Sequence, residues 1–154
     1  DMRHRGSWNK DSRYSYRNGP LVKPGKYKVT ITIDGTSFSE NLEIISDPRI
    51  DLDTEVYDEQ EKILIEIRDF MTEVRLFEDE VSKILINKPK NKKYLSISKK
   101  LNTDKGTYMQ PMLIDQIRYL QSMLSRADQK PGEDAINRLK ELKSEFYILK
   151  NTLG

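Results

Sequence analysis

Cysteine is absent from the 154 residues, which removes disulfides, thiolate nucleophiles and cysteine metal sites and leaves the compartment open. Histidine occurs once, as His4 between Arg3 and Arg5. With no acid to orient it and no nucleophile to serve, it reads as an incidental surface residue. Apolar runs are short, as in Ile63-Leu64-Ile65, so no stretch has the roughly 18 residues a membrane-spanning helix needs. Excess charge is lacking too: 27 Lys and Arg against 25 Asp and Glu leave +2, which gives no global electrostatic case for nucleic acid or a membrane surface. An initiator Met is missing in front of Asp1-Met2-Arg3, and the chain reads as a fragment of something longer.

What is present is a spacing. Ile63, Ile67, Phe70, Val74, Phe77, Val81 and Ile84 recur in alternating steps of four and three. Leu113, Ile117, Leu120, Leu124 and Ala127 repeat the pattern, and Ala135, Leu139, Leu142, Phe146, Leu149 and Leu153 do so again. Each set draws one apolar seam along one side of a helix, and such a seam must be buried. The predicted fold class is α+β and mostly α. It comprises an antiparallel three-helix bundle over residues 50–154, preceded by a β-hairpin region over 1–49. The first helix starts near Asp53 or Thr54 and runs to about Asn87, where Pro89 stops it. At 1.5 Å per residue it is a rod of about 50 Å. The second covers about Gln110–Ala127 with Pro111 in its first turn, and the third follows the short Asp128–Gly132 connection, which forces an antiparallel return. Both are expected at about 20 residues or ~30 Å, so the first overhangs them. Residues 88–107 form a lysine-rich connection with room for a short helix around Tyr94–Lys100.

Ahead of the helices, Tyr27, Val29, Ile31 and Ile33 alternate with Lys28, Thr30 and Thr32, the period of a half-buried strand. Asp34-Gly35 is a two-residue hairpin loop, since both positions must accept positive φ. The return strand, roughly 36–46, carries Phe38, Leu42 and Ile44 on one face, and Glu40 interrupts that face, which predicts a bulge or an edge position. Because a lone two-stranded ribbon is marginal in water, further strands or a helical cover are expected. Residues 1–22, with Trp8, Tyr14 and Tyr16, could add a strand, but missing strands upstream of Asp1, helped by the helices, are the favoured source.

Candidate chemistry is thin. Asp51, Asp53 and Glu55 open like a calcium loop, but Val56 and Lys62 stand where glycine and a bidentate glutamate are required. Ser96-Ile97-Ser98-Lys99 has the Ser-x-x-Lys spacing without the companion elements, since Lys105-Gly106-Thr107 is in the wrong order. No facing carboxylate pair can be named among Asp34, Glu40 and Glu43. Catalytic, cofactor and metal residues are therefore none. The remaining interaction surface is Lys88, Lys90, Lys92 and Lys93 with Tyr94, extended by Lys99 and Lys100, where phosphates and a stacked base could be held. The simpler reading is a solvated loop balancing the acidic first helix, in which twelve carboxylates between Asp51 and Glu80 face only Lys62, Arg68 and Arg75.

Gly19-Pro20-Leu21-Val22, Pro24-Gly25-x-Tyr27-x-Val29, Asp34-Gly35 and Asp47-Pro48-Arg49, taken in order, resemble the C-terminal region of large exported bacterial β-propeller proteins. These carry Asp-box or sortilin-like repeats and are often labelled glycosyl hydrolases. Ala127-Asp128-x-x-Pro131 also resembles that family's connection, with Gly132 in place of its threonine. The resemblance implies late strands of an incomplete immunoglobulin-like sandwich, an exported origin, and a helical module that is structural or interactive. Its implied partners are the upstream domains of the same protein, a protein partner, or a second copy met through the helices. It carries no catalytic residue onto this chain, because the propeller is absent. Two alternatives stand beside it: an accessory fragment of a carbohydrate-active hydrolase with its catalytic residues upstream, and a helical adaptor for nucleic acid using the 88–100 lysines.

Overall fold

The computed structural model describes residues 19–153, so His4, Trp8, Tyr14 and Tyr16 lie outside the described residues. Within them the chain is α+β and mostly helical: β1 (Gly25–Ile33), β2 (Thr36–Ile44), α1 (Thr54–Asn87), α2 (Lys92–Leu101), α3 (Leu113–Leu124) and α4 (Glu133–Asn151).

The strands pair antiparallel from Gly25 opposite Ile44 to Ile33 opposite Thr36. Asp34 and Gly35 close the hairpin with φ of 49° and 84°, the double positive φ of a turn whose twist matches the strands. The register is unbroken, so the bulge expected at Glu40 does not form; Glu40 pairs directly with Val29. Among the described residues nothing is packed over that face to reject a carboxylate, and both strands are edges of a two-stranded sheet. The opposite face is polar, with hydroxyl pairs between Thr30 and Ser39 and between Thr32 and Ser37, both 2.8 Å apart. Asp47-Pro48-Arg49 ends the sheet as a self-paired turn. Asp47 accepts from the Arg49 backbone N–H and Nε, each at 2.9 Å, and its own carbonyl accepts from Ile50 N–H at 2.9 Å.

Among the described residues the helices are four, α2 being the short one for which the 88–107 connection had room around Tyr94–Lys100. The lysine-rich connection contains α2, capped by the Asn91 side chain, which accepts from the N–H groups of Lys93 and Tyr94. Its Ile97 and Leu101 are buried in the core, so this segment covers part of the α1 overhang and is a structural member of the fold. The helix expected over Gln110–Ala127 is shorter, Leu113–Leu124. At its start, Pro111 precedes the helix and Met112 N–H donates to Thr103 Oγ1 at 2.9 Å. At its end, buried Gln60 of α1 donates through Nε2 to the carbonyls of Leu124 and Ala127, both at 2.7 Å. Those carbonyls would otherwise be unsatisfied at a helix terminus. Ala127 consequently leaves the seam and is exposed. Helices α3 and α4 are 12 and 19 residues, not two equal rods.

Relative directions follow from cross-helix pairs. Lys143 meets Glu66 at 2.6 Å and Lys150 meets Glu73 at 2.9 Å, so α1 and α4 run the same way, two turns between rungs. Gln60 at the end of α3 shows that α3 runs against α1. The seams are buried along most of their length: Ile63 to Val81 in α1, Leu113 to Leu124 in α3, and Leu139 to Leu149 in α4. At the centre sits Phe146, fully buried, with edge-to-face contacts to Phe70 and Phe77 at 5.6 Å each.

Candidate functional site

Alternation on the ribbon puts Tyr27, Val29, Ile31, Ile33, Phe38 and Leu42 on one face. Tyr27 is tucked in, its hydroxyl donating to the Lys23 carbonyl at 2.7 Å. The other five remain open to solvent: Val29 44%, Ile31 58%, Ile33 59%, Phe38 61% and Leu42 49%. This is a contiguous apolar patch on a secondary-structure element that is marginal alone. Among the described residues the ribbon is anchored at its base. Lys23 pairs with Asp58 and, at 3.6 Å, with Glu61 on the first turns of α1, and the Lys23 N–H reaches Glu61 at 3.4 Å. The helices therefore do not cover the sheet, as the sequence reading had partly expected.

The basic surface lies elsewhere, at the junction of α1 and α2. Lys88 follows the last turn of α1, Lys90 sits in the turn, and Lys92 and Lys93 open α2; all four are exposed. Tyr94 is half-buried and packed against the core, so its ring is committed to the fold and not presented beside the lysines. Nor do these lysines supply the counter-charge for α1. Among the described residues that role falls to Lys23, Lys130, Lys143 and Lys150, which pair with Asp58, Glu59, Glu66 and Glu73. The α4 lysines add cation–ring contacts, Lys143 over Phe70 at 5.7 Å and Lys150 over Phe146 at 5.6 Å.

Glu73 is the most elaborated polar group. It accepts from Lys150 Nζ and from the Tyr147 hydroxyl at 3.0 Å. Partial burial pushes its carboxyl up, but the bonds from Lys150 and Tyr147 outweigh that and hold it below the ordinary glutamate range. The same hydrogen bonds hold Lys150 and Tyr147 above their usual values. The carboxylate with its partners engaged forms a polar rung between α1 and α4.

Of the concavities among the described residues, two lie beside the ribbon base and between α3 and α4. One of about 230 Å³ lies at the ribbon base, lined by Val22, Ile44, Tyr57, Gln60 and Asp128 among others. The Tyr57 hydroxyl is sealed from solvent without a hydrogen-bond partner among the described residues; burial, then the Asp128 and Asp47 carboxylates, push the phenol up. The other, about 900 Å³, is an open groove between α3 and α4 floored by Leu120, Leu124 and Ala135 and flanked by Tyr119 and Met123. The first also has Lys23, Ser46, Asp47, Glu61 and Ser125 in its lining, with Lys23 engaged by Asp58 and Glu61 and Asp47 by Arg49. Among the described residues no group of three or more His, Asp or Glu side chains is placed to hold a metal ion. No described helix is long and apolar enough to cross a membrane. The sequence anticipated the ribbon and the lysines; it gave no sign of Tyr57 or of the Gln60 bracket, which exist only because distant segments converge.

No family model, no curated protein and no solved structure matches this chain.

Proposed function

We propose that this chain is a non-catalytic accessory and interaction region of a larger exported bacterial protein of the β-propeller kind, in which the ribbon completes an immunoglobulin-like sandwich. In this reading α1, α3 and α4 form a three-helix bundle, with α2 as an added strut, that holds the ribbon at one end. The observation that supports it is the five-residue apolar ribbon face left open among the described residues while the helical seams are buried along most of their length. A sheet face of that kind is stable only when something covers it. The resemblance of the Pro-Gly-x-Tyr-x-Val, Asp-Gly and Asp-Pro-Arg elements to the end of such a sandwich supplies the identity of the cover. Lysines at 88–93 without a presented aromatic favour a solvated corner over nucleic-acid binding.

Amide hydrogen exchange on the chain alone tests the reading. Ribbon amides should exchange at least about a hundredfold faster than those of the α1 core, since their opening is local. Adding the upstream sandwich segment of the parent gene should then slow them. Equal protection of ribbon and helix core in the chain alone would show that the ribbon needs no cover.

A further inference from the structure

The net charge of +2 conceals a segregation. Between Glu80 and Asp104 the sequence holds no carboxylate, while Lys88, Lys90, Lys92, Lys93, Lys99 and Lys100 gather where α1 turns into α2. All six are exposed, and none is paired with a carboxylate among the described residues, in contrast to Lys23, Lys130, Lys143 and Lys150. Helical spacing orders them on α2. Tyr94, Ile97 and Leu101 form the row turned into the core, so Lys92, Leu95 and Lys99 form a row on the opposite side. Lys93, Ser96 and Lys100 make a second row on its flank. Seven residues set the two charges of each row about 10 Å apart. Two apolar side chains stand among the lysines: Leu95, partly exposed, and Ile86 in the last turn of α1, largely so.

A corner of this make fits some polyanions better than others. Nucleic acid is gripped by arginine forks and by aromatic rings stacked on bases. There is no arginine between Arg75 and Arg118, and the Tyr94 ring is spent on the core. Leucine and isoleucine gain little against phosphate and sugar. At a bilayer they enter the headgroup layer, while the lysines beside them reach the lipid phosphates. Neither concavity described above is lined by one of these lysines, so the corner faces outward, as a flat surface requires.

We infer that the corner between α1 and α2 is a docking surface for an anionic lipid bilayer, held by these six lysines with Leu95 and Ile86 seated among the headgroups. Each lysine near such a surface strengthens binding about fivefold, an attraction that fades over a Debye length of about 10 Å. No ribbon residue takes part, so the docking stands apart from the sandwich reading above.

Co-sedimentation of the whole chain with vesicles of about 30% phosphatidylglycerol in phosphatidylcholine, beside pure phosphatidylcholine, is the test. At about 50 mM salt the chain should bind the anionic vesicles and not the zwitterionic ones, and about 500 mM salt should weaken binding at least tenfold. Lys92→Gln with Lys99→Gln should weaken it about twentyfold, whereas Lys26→Gln with Lys28→Gln, on the polar face of the ribbon, should leave it within about twofold. All four lysines are exposed, and unchanged helical circular dichroism controls for folding. Duplex DNA of about 20 base pairs, added at equal phosphate concentration, should not displace the chain from the vesicles. Absence of binding to anionic vesicles at low salt would overturn the inference, as would binding indifferent to the Lys92 and Lys99 pair or equally sensitive to the Lys26 and Lys28 pair. Displacement by the DNA would remove the lipid and leave a general polyanion site.

Discussion

Single residues divide into those that spacing announces and those that only convergence creates. Phe70 and Phe146 belong to the first kind: each is a seam position, and both are buried in edge-to-face contact. Phe146→Ala should cost about 3–5 kcal/mol in urea unfolding, as expected for removing a fully buried ring; a loss below about 1 kcal/mol would mean the seam is not the core. Gln60 is of the second kind. Between Glu59 and Glu61 it reads as one more polar residue on a wet face, yet it is buried because the chain turning at 124–128 brings two carbonyls to its amide. Gln60→Leu should cost about 1–3 kcal/mol by stranding those acceptors, whereas Glu59→Leu, at a partly exposed ion pair, should stay within about 1 kcal/mol. Glu73 adds a pH dependence. Its folded pKa lies below the unfolded one, so its contribution is complete above the ordinary glutamate range and is lost as pH falls through the lowered value. Lys150 and Tyr147 are raised, so theirs is complete below their unfolded values and lost as pH rises through the raised ones. Glu73→Gln should flatten the acid limb of the stability profile and, because Lys150 and Tyr147 are raised by the same carboxylate, the alkaline limb as well; an identical acid limb would show the rung to be silent.

At the scale of elements, the long periodic segment was legible to its ends, and the short helix only as room for one around Tyr94–Lys100. The 34-residue α1 begins at Thr54 and ends at Asn87, within a residue of the expected bounds, because seven seam positions and Pro89 leave little freedom. Helix α2 has only Tyr94, Ile97 and Leu101 to declare it among four lysines, too few turns for a period to emerge. What fixes it is the Asn91 cap and the empty stretch of α1 seam it covers. Asn91→Ala should therefore destabilise the whole helical unit by about 1 kcal/mol, seen as a shift in the single helical transition. A separate early loss of α2 alone would show that it is not part of the core. The hairpin was legible for the opposite reason: Asp34-Gly35 demands a backbone shape that few other pairs allow.

For the whole molecule, sequence periodicity says which faces are apolar but not which are covered, and that is where expectation and structure part. Alternation in β1 and β2 predicted a half-buried sheet; the ribbon instead stands off the helices, held by Lys23 on Asp58 and Glu61 at its base. No local signal distinguishes a strand face that packs inside its own chain from one that packs elsewhere. The arrangement implies two regions of unequal stability joined at α1. Replacing Ile31 with Thr and Phe38 with Ser together removes apolar surface that is already in water, so the helical transition should shift by less than about 0.5 kcal/mol. The same pair of changes at buried seam positions would cost several kcal/mol. Circular dichroism at the helical minimum during urea unfolding makes the comparison directly. A midpoint unchanged by the double substitution, together with faster exchange of the remaining ribbon amides, follows if the ribbon is an outboard element. A fall in the helical midpoint comparable to that of Phe146→Ala would require the ribbon face to be folded onto the helices in solution, and its role as a docking surface would go with it.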